Sequence, residues 1–310
     1  MTEPLPWRSD RHLDADVVRA VIRDQFPAVR ADDVVFLHAG WDSEAYLVDD
    51  TWVFRFPKRK EVEAWLAREQ AILPKLRPLL PLPIPEPSFA GVPGAGFPYH
   101  FMGYRMLPGT PADRLLPADP RHDADHARAL GEFLTALHAF PVDAAKACGV
   151  AESLGDGETP AQLLAEAREL AEWIEPALLF AHRAAALAFF HNPTPPPPDY
   201  SGEACLIHGD MLTEHVLIGS HGEICGIIDF GDIVAGDPAY DFMGLYDWRG
   251  ERFVHRLLEH YSLPVDPGFL DRVVYLGKCR ALIGIGHAAR WGKEPMDIAL
   301  AELAAAFGGP

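Results

Sequence analysis

No part of the chain limits its fold as tightly as Leu206 to Asp241, LIHGDMLTEHVLIGSHGEICGIIDFGDIVAGDPAYD. Short apolar runs alternate there with turns built from Gly, Asp and His. Leu206-Ile207 leads into His208-Gly209-Asp210, Val216 to Ile218 follows, and Ile224 to Ile228 ends at Asp229-Phe230-Gly231-Asp232. Apolar runs this short, bounded by turn formers, are strands rather than helices. The pattern therefore predicts strand, acid-bearing loop, strand, strand, and a second acid-bearing loop. Gly236-Asp237-Pro238-Ala239-Tyr240-Asp241 then opens a helix, with Asp237 as its cap and Asp241 anchoring it to the loop of Asp210.

Either acidic tripeptide alone is an ordinary turn, because Gly-Asp pairs mark turns throughout proteins. Their order and separation carry the chemistry. A carboxylate on a loop between strands can orient an acceptor hydroxyl and take its proton as a bond to phosphorus forms, the role predicted for Asp210. A second carboxylate delivered by a strand into an Asp-Phe-Gly turn can hold magnesium against nucleotide phosphates, the role predicted for Asp229.

Three further stretches accompany this block: Gly40-Trp41-Asp42-Ser43-Glu44-Ala45-Tyr46-Leu47-Val48, Phe54-Arg55-Phe56-Pro57-Lys58, and Gly103-Tyr104-Arg105-Met106-Leu107-Pro108-Gly109. Together, from about residue 35 to about residue 245, the chain resembles the aminoglycoside phosphotransferase family, most nearly the aminoglycoside 2''-phosphotransferases; the last sixty or so residues match nothing specific. The resemblance implies an α+β, two-lobed protein-kinase-like fold. A β-rich nucleotide-binding lobe would span 1–104 and a larger, mainly helical catalytic and acceptor-binding lobe 105–310, with ATP or GTP between them. It implies transfer of the γ-phosphate to a hydroxyl of an aminoglycoside, and hence antibiotic resistance. Mg²⁺ would sit on Asp229 with Asp210 as base.

In that frame Val34 to His38, Glu44 to Val48 and Trp52 to Phe56 are three strands of a nucleotide lid. Its first turn has a single glycine, so backbone amides and the Ser43 hydroxyl would approach the phosphates. Arg55 stands where the family usually has its phosphate-binding lysine, and Lys58 lies three residues on; either cation could bridge the phosphates and a helix carboxylate. The helix from Glu61 to Leu76 offers Glu69. The run Tyr99 to Met106 would feed the hinge, where backbone groups around Tyr104 to Met106 meet the purine. His215 occupies the place of an asparagine that binds a second magnesium. Imidazole is a poor magnesium ligand, so His215 either holds a metal loosely or orients Asp210 and the phosphates.

Elsewhere, helical spacing predicts helices over Asp14 to Phe26, Ala124 to Phe140 and Pro160 to about His182. His138, on the second of these, is expected to pack rather than react. Downstream, Asp247, Glu251, Glu259 and Asp271 lie where the family binds its acceptor, although a solvated helix face is the preferred reading of each.

With 27 basic and 45 acidic residues the net charge is −18. That sign disfavours nucleic acid and anionic membrane surfaces, and it suits a small cationic partner as well as plain solubility. The first fourteen residues lack an apolar segment, and no run of eighteen apolar residues occurs. A cytoplasmic protein without signal peptide or membrane span is expected. The four cysteines show no disulfide framework. Rival readings are a kinase of a macrolide, a cationic peptide antibiotic or a small metabolic alcohol, a nucleotide-binding pseudokinase, and a zinc site on Cys205, His208, His215, His221 and Cys225, whose spacing follows no tight zinc pattern.

Overall fold

The computed structural model describes residues 9–10, 13–116, 118–153, 159–181, 183–292 and 295–308. Most of the N-terminal stretch on which the absence of a signal peptide was argued, and His182, lie outside the described residues. The chain divides into two compact units, Met1–Leu79 with Pro83–Pro108, and Leu80–Leu82 with Gly109–Pro310. It is α+β: an antiparallel five-stranded sheet belongs to the first unit, and helices dominate the second.

In the first unit, α1 (Ala15–Gln25) is capped by the Asp14 carboxylate, which accepts from the amides of Asp16 and Val17 at 3.0 and 2.9 Å. The sheet has the order β1-β2-β3-β5-β4, with β1 Val34–Ala39, β2 Ser43–Val48, β3 Trp52–Pro57, β4 Pro87–Gly91 and β5 Phe101–Arg105. At the β2–β3 hairpin, Asp49 and Asp50 take φ of 51° and 49°, the left-handed geometry that matches strand twist. The Asp49 carboxylate accepts from the amides of Ala31, Asp32 and Asp33 at 2.8–3.1 Å, so the hairpin also fixes the approach to β1.

Strand alternation sorts the side chains of β3. Phe54 and Phe56 are fully buried in an aromatic core with Phe101, and the Phe56 and Phe101 rings stack 4.7 Å apart. Val53 lies on the opposite face, packed with Met102, Tyr104 and Leu66 of α2 (Val62–Leu76). Arg55 shares the face of Val53, and Glu69 follows Leu66 by three residues on the helix, so alternation and helical spacing bring the two together.

The second unit contains β6 (Thr110–Pro111), α3 (Asp123–His138), α4 (Val142–Lys146), α5 (Pro160–Glu169), α6 (Ala171–Phe180) and α7 (Ala184–His191). Beyond them come β7 (Cys205–Ile207), β8 (Val216–Ile218), β9 (Ile224–Ile227), β10 (Val234–Gly236), α8 (Ala239–Arg249), α9 (Glu251–Leu258), α10 (Phe269–Trp291) and α11 (Met296–Ala306). The single helix predicted from Pro160 is in fact two, α5 and α6. The break falls at Leu170, which meets α10 where a Cβ on Gly286 would lie 2.9 Å from the Leu170 side chain. β7 pairs with β10, and β8 with β6 and β9, so the strands entering both acid-bearing loops are pinned in short antiparallel ladders. Among the described residues no helix is long and apolar enough to cross a membrane.

Candidate active site

β7 delivers His208-Gly209-Asp210, and β9 delivers Asp229. The two loops are tied to each other. The buried His208 ring donates from Nε2 to the Ile228 carbonyl (3.0 Å) and accepts the Asp210 amide at Nδ1 (3.2 Å). That bonding requires the neutral tautomer, and burial pulls its pKa down to about 4. Gly209 has φ of 83°, and a Cβ there would come within 2.3 Å of the Asp232 carbonyl oxygen, so neither the backbone nor the space admits another residue.

Asp241, on α8, holds the same loop from beneath. Its carboxylate accepts from the amides of His208 (2.8 Å) and Gly209 (2.9 Å) and is paired with His138 Nε2 at 3.0 Å. His138 Nδ1 in turn meets the Tyr261 hydroxyl at 2.8 Å. Burial alone would raise the Asp241 pKa, but His138 and the loop amide outweigh it and hold the group below the ordinary carboxylate range. His138 therefore braces the loop of Asp210 through Asp241.

Above this support, Asp210 and Asp229 flank the His215 ring. His215 Nδ1 donates to the Asp210 carbonyl at 2.8 Å and lies 3.5 Å from the Asp210 carboxylate, while Nε2 lies 3.7 Å from that of Asp229. The two carboxylates are 32% and 39% exposed, open enough to meet a ligand. Asp229 adopts φ of 64°, a left-handed backbone rare for a non-glycine residue and concentrated at functional sites. Crowding by protein pushes the Asp210 carboxyl up against the pull of His215 and Arg280. Burial would lower the His215 pKa, yet Asp210, Asp229 and Glu214 together bring it up to about 9. This arrangement, with carboxylates on both sides, favours the protonated form of His215.

More acids surround the loop than its motif discloses. Thr213 donates to Glu302 of α11 at 2.9 Å, and burial with the nearby Glu214 raises the Glu302 pKa to about 7. Burial and Glu214 also raise that of Asp113. Arg280 of α10 is a cation within this field. Of the charged residues among these, only Glu214 lies in the motif block. Arg280 and Glu302 sit on helices whose register against the loop is set by packing, so no sequence signal marked them.

In the first unit, Arg55 Nη1 contacts both Glu69 oxygens at 2.8 and 3.0 Å, with side chains 11% and 1% exposed. Arg55 is thus the cation that meets the helix carboxylate. Lys58 Nζ donates to the Gly40 carbonyl at 2.6 Å, and burial lowers its pKa. Among the described residues Ser43 Oγ is buried without a hydrogen-bond partner. Tyr104 is buried against α2, and the Met106 amide donates to the Thr51 carbonyl at 2.8 Å, so that amide is already engaged within the fold.

The zinc reading does not fit. His208 uses both nitrogens in the chain, the Cys205 and Cys225 thiols point to the carbonyls of Gly236 and Leu217, and no group of three or more His, Cys, Asp or Glu among the described residues forms a metal site. Magnesium makes a different demand. It commonly takes one or two protein carboxylates and fills its remaining positions with water and phosphate oxygens, a demand that the half-exposed Asp229 carboxylate fits.

Residues 33–272 match the model of the phosphotransferase enzyme family APH. The chain belongs to this family. APH proteins among its structural neighbours include the GDP and kanamycin complex of APH(2")-IIia, 27% identical, with a TM-score of 0.67 over 92% of this chain and 95% of that one. Another is the GDP complex of wild-type aminoglycoside 2'-phosphotransferase-IIIa, 25% identical, with a TM-score of 0.69 over 96% and 99%. A curated relative is the uncharacterized protein YcbJ of Bacillus subtilis (strain 168), 24% identical over 281 residues, 82% of each chain.

Proposed function

We propose that this enzyme transfers the γ-phosphate of ATP or GTP to a hydroxyl of an aminoglycoside, with Asp210 as general base and Mg²⁺ held by Asp229. The observation that carries the reading is the pair of half-exposed carboxylates, Asp210 and Asp229, fixed on either side of His215 by a buried lattice of His208, Asp241 and His138. The solved neighbour bound to GDP and kanamycin supports both the donor and the acceptor class.

Asp210 accepts the acceptor's hydroxyl proton as the oxygen attacks phosphorus. His215 holds the loop carbonyl of Asp210 and offers positive charge to both carboxylates. Arg55, fixed by Glu69, meets the nucleotide phosphates, with the Ser43 hydroxyl and the backbone of its turn; Lys58 braces that turn from the Gly40 carbonyl. The hinge backbone near Tyr104 and Met106 takes the purine. A Mg²⁺ held by Asp229 would supply positive charge to neutralise the nucleotide phosphates. Glu214 lies within the loop of Asp210, and Glu302 and Asp113 lie near it; burial first, and Glu214 second, raises the Glu302 and Asp113 carboxyls, and an ammonium group beside them would favour their charged forms, which suits a cationic acceptor.

The phosphate added would place negative charge and bulk on the drug and spoil its fit to ribosomal RNA. Replacing Asp210 by Ala is expected to cut turnover by roughly 10²- to 10⁴-fold, the scale of losing a general base, while nucleotide affinity persists. Steady-state kinetics beside calorimetric nucleotide binding reads both; near-normal turnover would remove Asp210 from the role.

A further inference from the structure

One face of α3 receives the chain that follows α9. Gly131, Thr135 and His138 recur on it at helical spacing. A Cβ on Gly131 would lie 2.7 Å from the Leu257 carbonyl oxygen and 2.8 Å from the His260 Cβ, so the missing side chain lets the end of α9 close on α3. One turn on, the Thr135 hydroxyl accepts from the Ser262 amide at 3.0 Å while donating to the Gly131 carbonyl at 2.8 Å. The next turn presents His138 to Tyr261. The buried Tyr261 ring meets the rings of His138 and of Phe242, the neighbour of Asp241 on α8, edge-on at 5.6 and 5.1 Å. Backbone packing, a side-chain hydrogen bond and two ring contacts thus set the place of one hydroxyl. Phenylalanine would fill the same space, since Phe242 also packs against Phe269. The hydroxyl is the part of Tyr261 that packing leaves unexplained.

That hydroxyl meets His138 Nδ1 at 2.8 Å, and the His138 side chain is wholly buried, so no water can replace the contact. Asp241 is held ionised and accepts from the His208 and Gly209 amides. An ionised carboxylate only accepts, so the His138 nitrogen facing it, Nε2, must carry a proton. Which nitrogen of a neutral imidazole is protonated depends on the bond that the other one makes. Burial raises the Tyr261 pKa, and its hydroxyl keeps the proton it needs to donate.

We propose that Tyr261 is a positioning residue for phosphoryl transfer: its hydroxyl donates to His138 Nδ1, fixes the Nε2–H tautomer and, through Asp241, holds the two amides that set the loop of Asp210. This inference rests on the proposed function. Tyr261 touches neither nucleotide nor acceptor in this role, and no bond is made or broken at it.

The test uses the full chain with Tyr261→Phe, which keeps the ring and removes the hydroxyl. Nitrogen NMR of histidine-labelled protein reads the His138 tautomer, amide hydrogen exchange reads His208 and Gly209, and steady-state kinetics beside thermal unfolding reads rate and fold. The wild type should show His138 as the neutral Nε2–H form. In Tyr261→Phe the Nδ1 resonance should shift and the two loop amides should exchange faster. In the same variant kcat should fall roughly 2- to 10-fold, the scale of one neutral hydrogen bond, with nucleotide and acceptor KM nearly unchanged. An imidazolium or an Nδ1–H form in the wild type would overturn the proposal. So would unchanged exchange at His208 and Gly209, or a loss of rate that follows global destabilisation alone, either of which would make Tyr261 a packing residue. If the wild type transfers no phosphate, the proposed function falls, while the nitrogen spectrum and the amide exchange still decide the link from Tyr261 to the loop.

Discussion

His215 is the residue whose chemistry depends most on what surrounds it. Placed between Asp210 and Asp229, it is held protonated well above the ordinary histidine range, to about 9. Because the folded pKa is the raised one, its ion pairing contributes stability fully below about pH 6.5, the unfolded value, and loses it as pH rises through about 9. Metal-free wild type should therefore lose thermal stability between those two values, and His215→Gln should lose that slope. Equal slopes in both proteins, read as Tm against pH, would show that the ring is not held as an imidazolium. Asp229 adds a second tension, since its left-handed backbone costs about 1–3 kcal/mol for a non-glycine residue. That cost is maintained where the side chain faces the phosphates in the proposed mechanism.

At the scale of elements, the loop of Asp210 is held by α8 more than by its own turn. Asp241 satisfies two loop amides and His138 while fully buried. Asp241→Ala leaves those donors without acceptors and is expected to cost about 3–5 kcal/mol, the scale of breaking a buried pair. Thermal or denaturant unfolding measures it, and a change below about 1 kcal/mol would mean that the loop finds other acceptors. The sequence disclosed this level well where a rule is local. The three strands of the lid begin and end within about a residue of their predicted positions because period-two alternation and turn residues specify them. The same alternation settles Arg55 rather than Lys58 as the partner of Glu69. The break at Leu170, and the arrival of Glu302 beside the loop, depend on how α10 and α11 pack, and helical periodicity does not encode that register.

The whole molecule carries a net charge of −18, and much of the acid near the catalytic loop comes from parts of the chain far apart in sequence, at Asp113, Glu214 and Glu302. The family and the α+β architecture were legible in motifs from about residue 35 to about residue 245, within the residues 33–272 that match the family model, whereas the acids proposed to draw the acceptor are brought together only by tertiary packing. The central claim concerns that acceptor. The most direct measurement is Mg²⁺-dependent transfer of the γ-phosphate from ATP and GTP to kanamycin, gentamicin and hygromycin, with a macrolide and choline alongside and the product analysed by NMR. Turnover confined to aminoglycosides, with one phosphorylated hydroxyl and none in Asp210→Ala, is the expected result. Transfer to the macrolide or choline alone, or tight nucleotide binding with no transfer to any aminoglycoside, would contradict it.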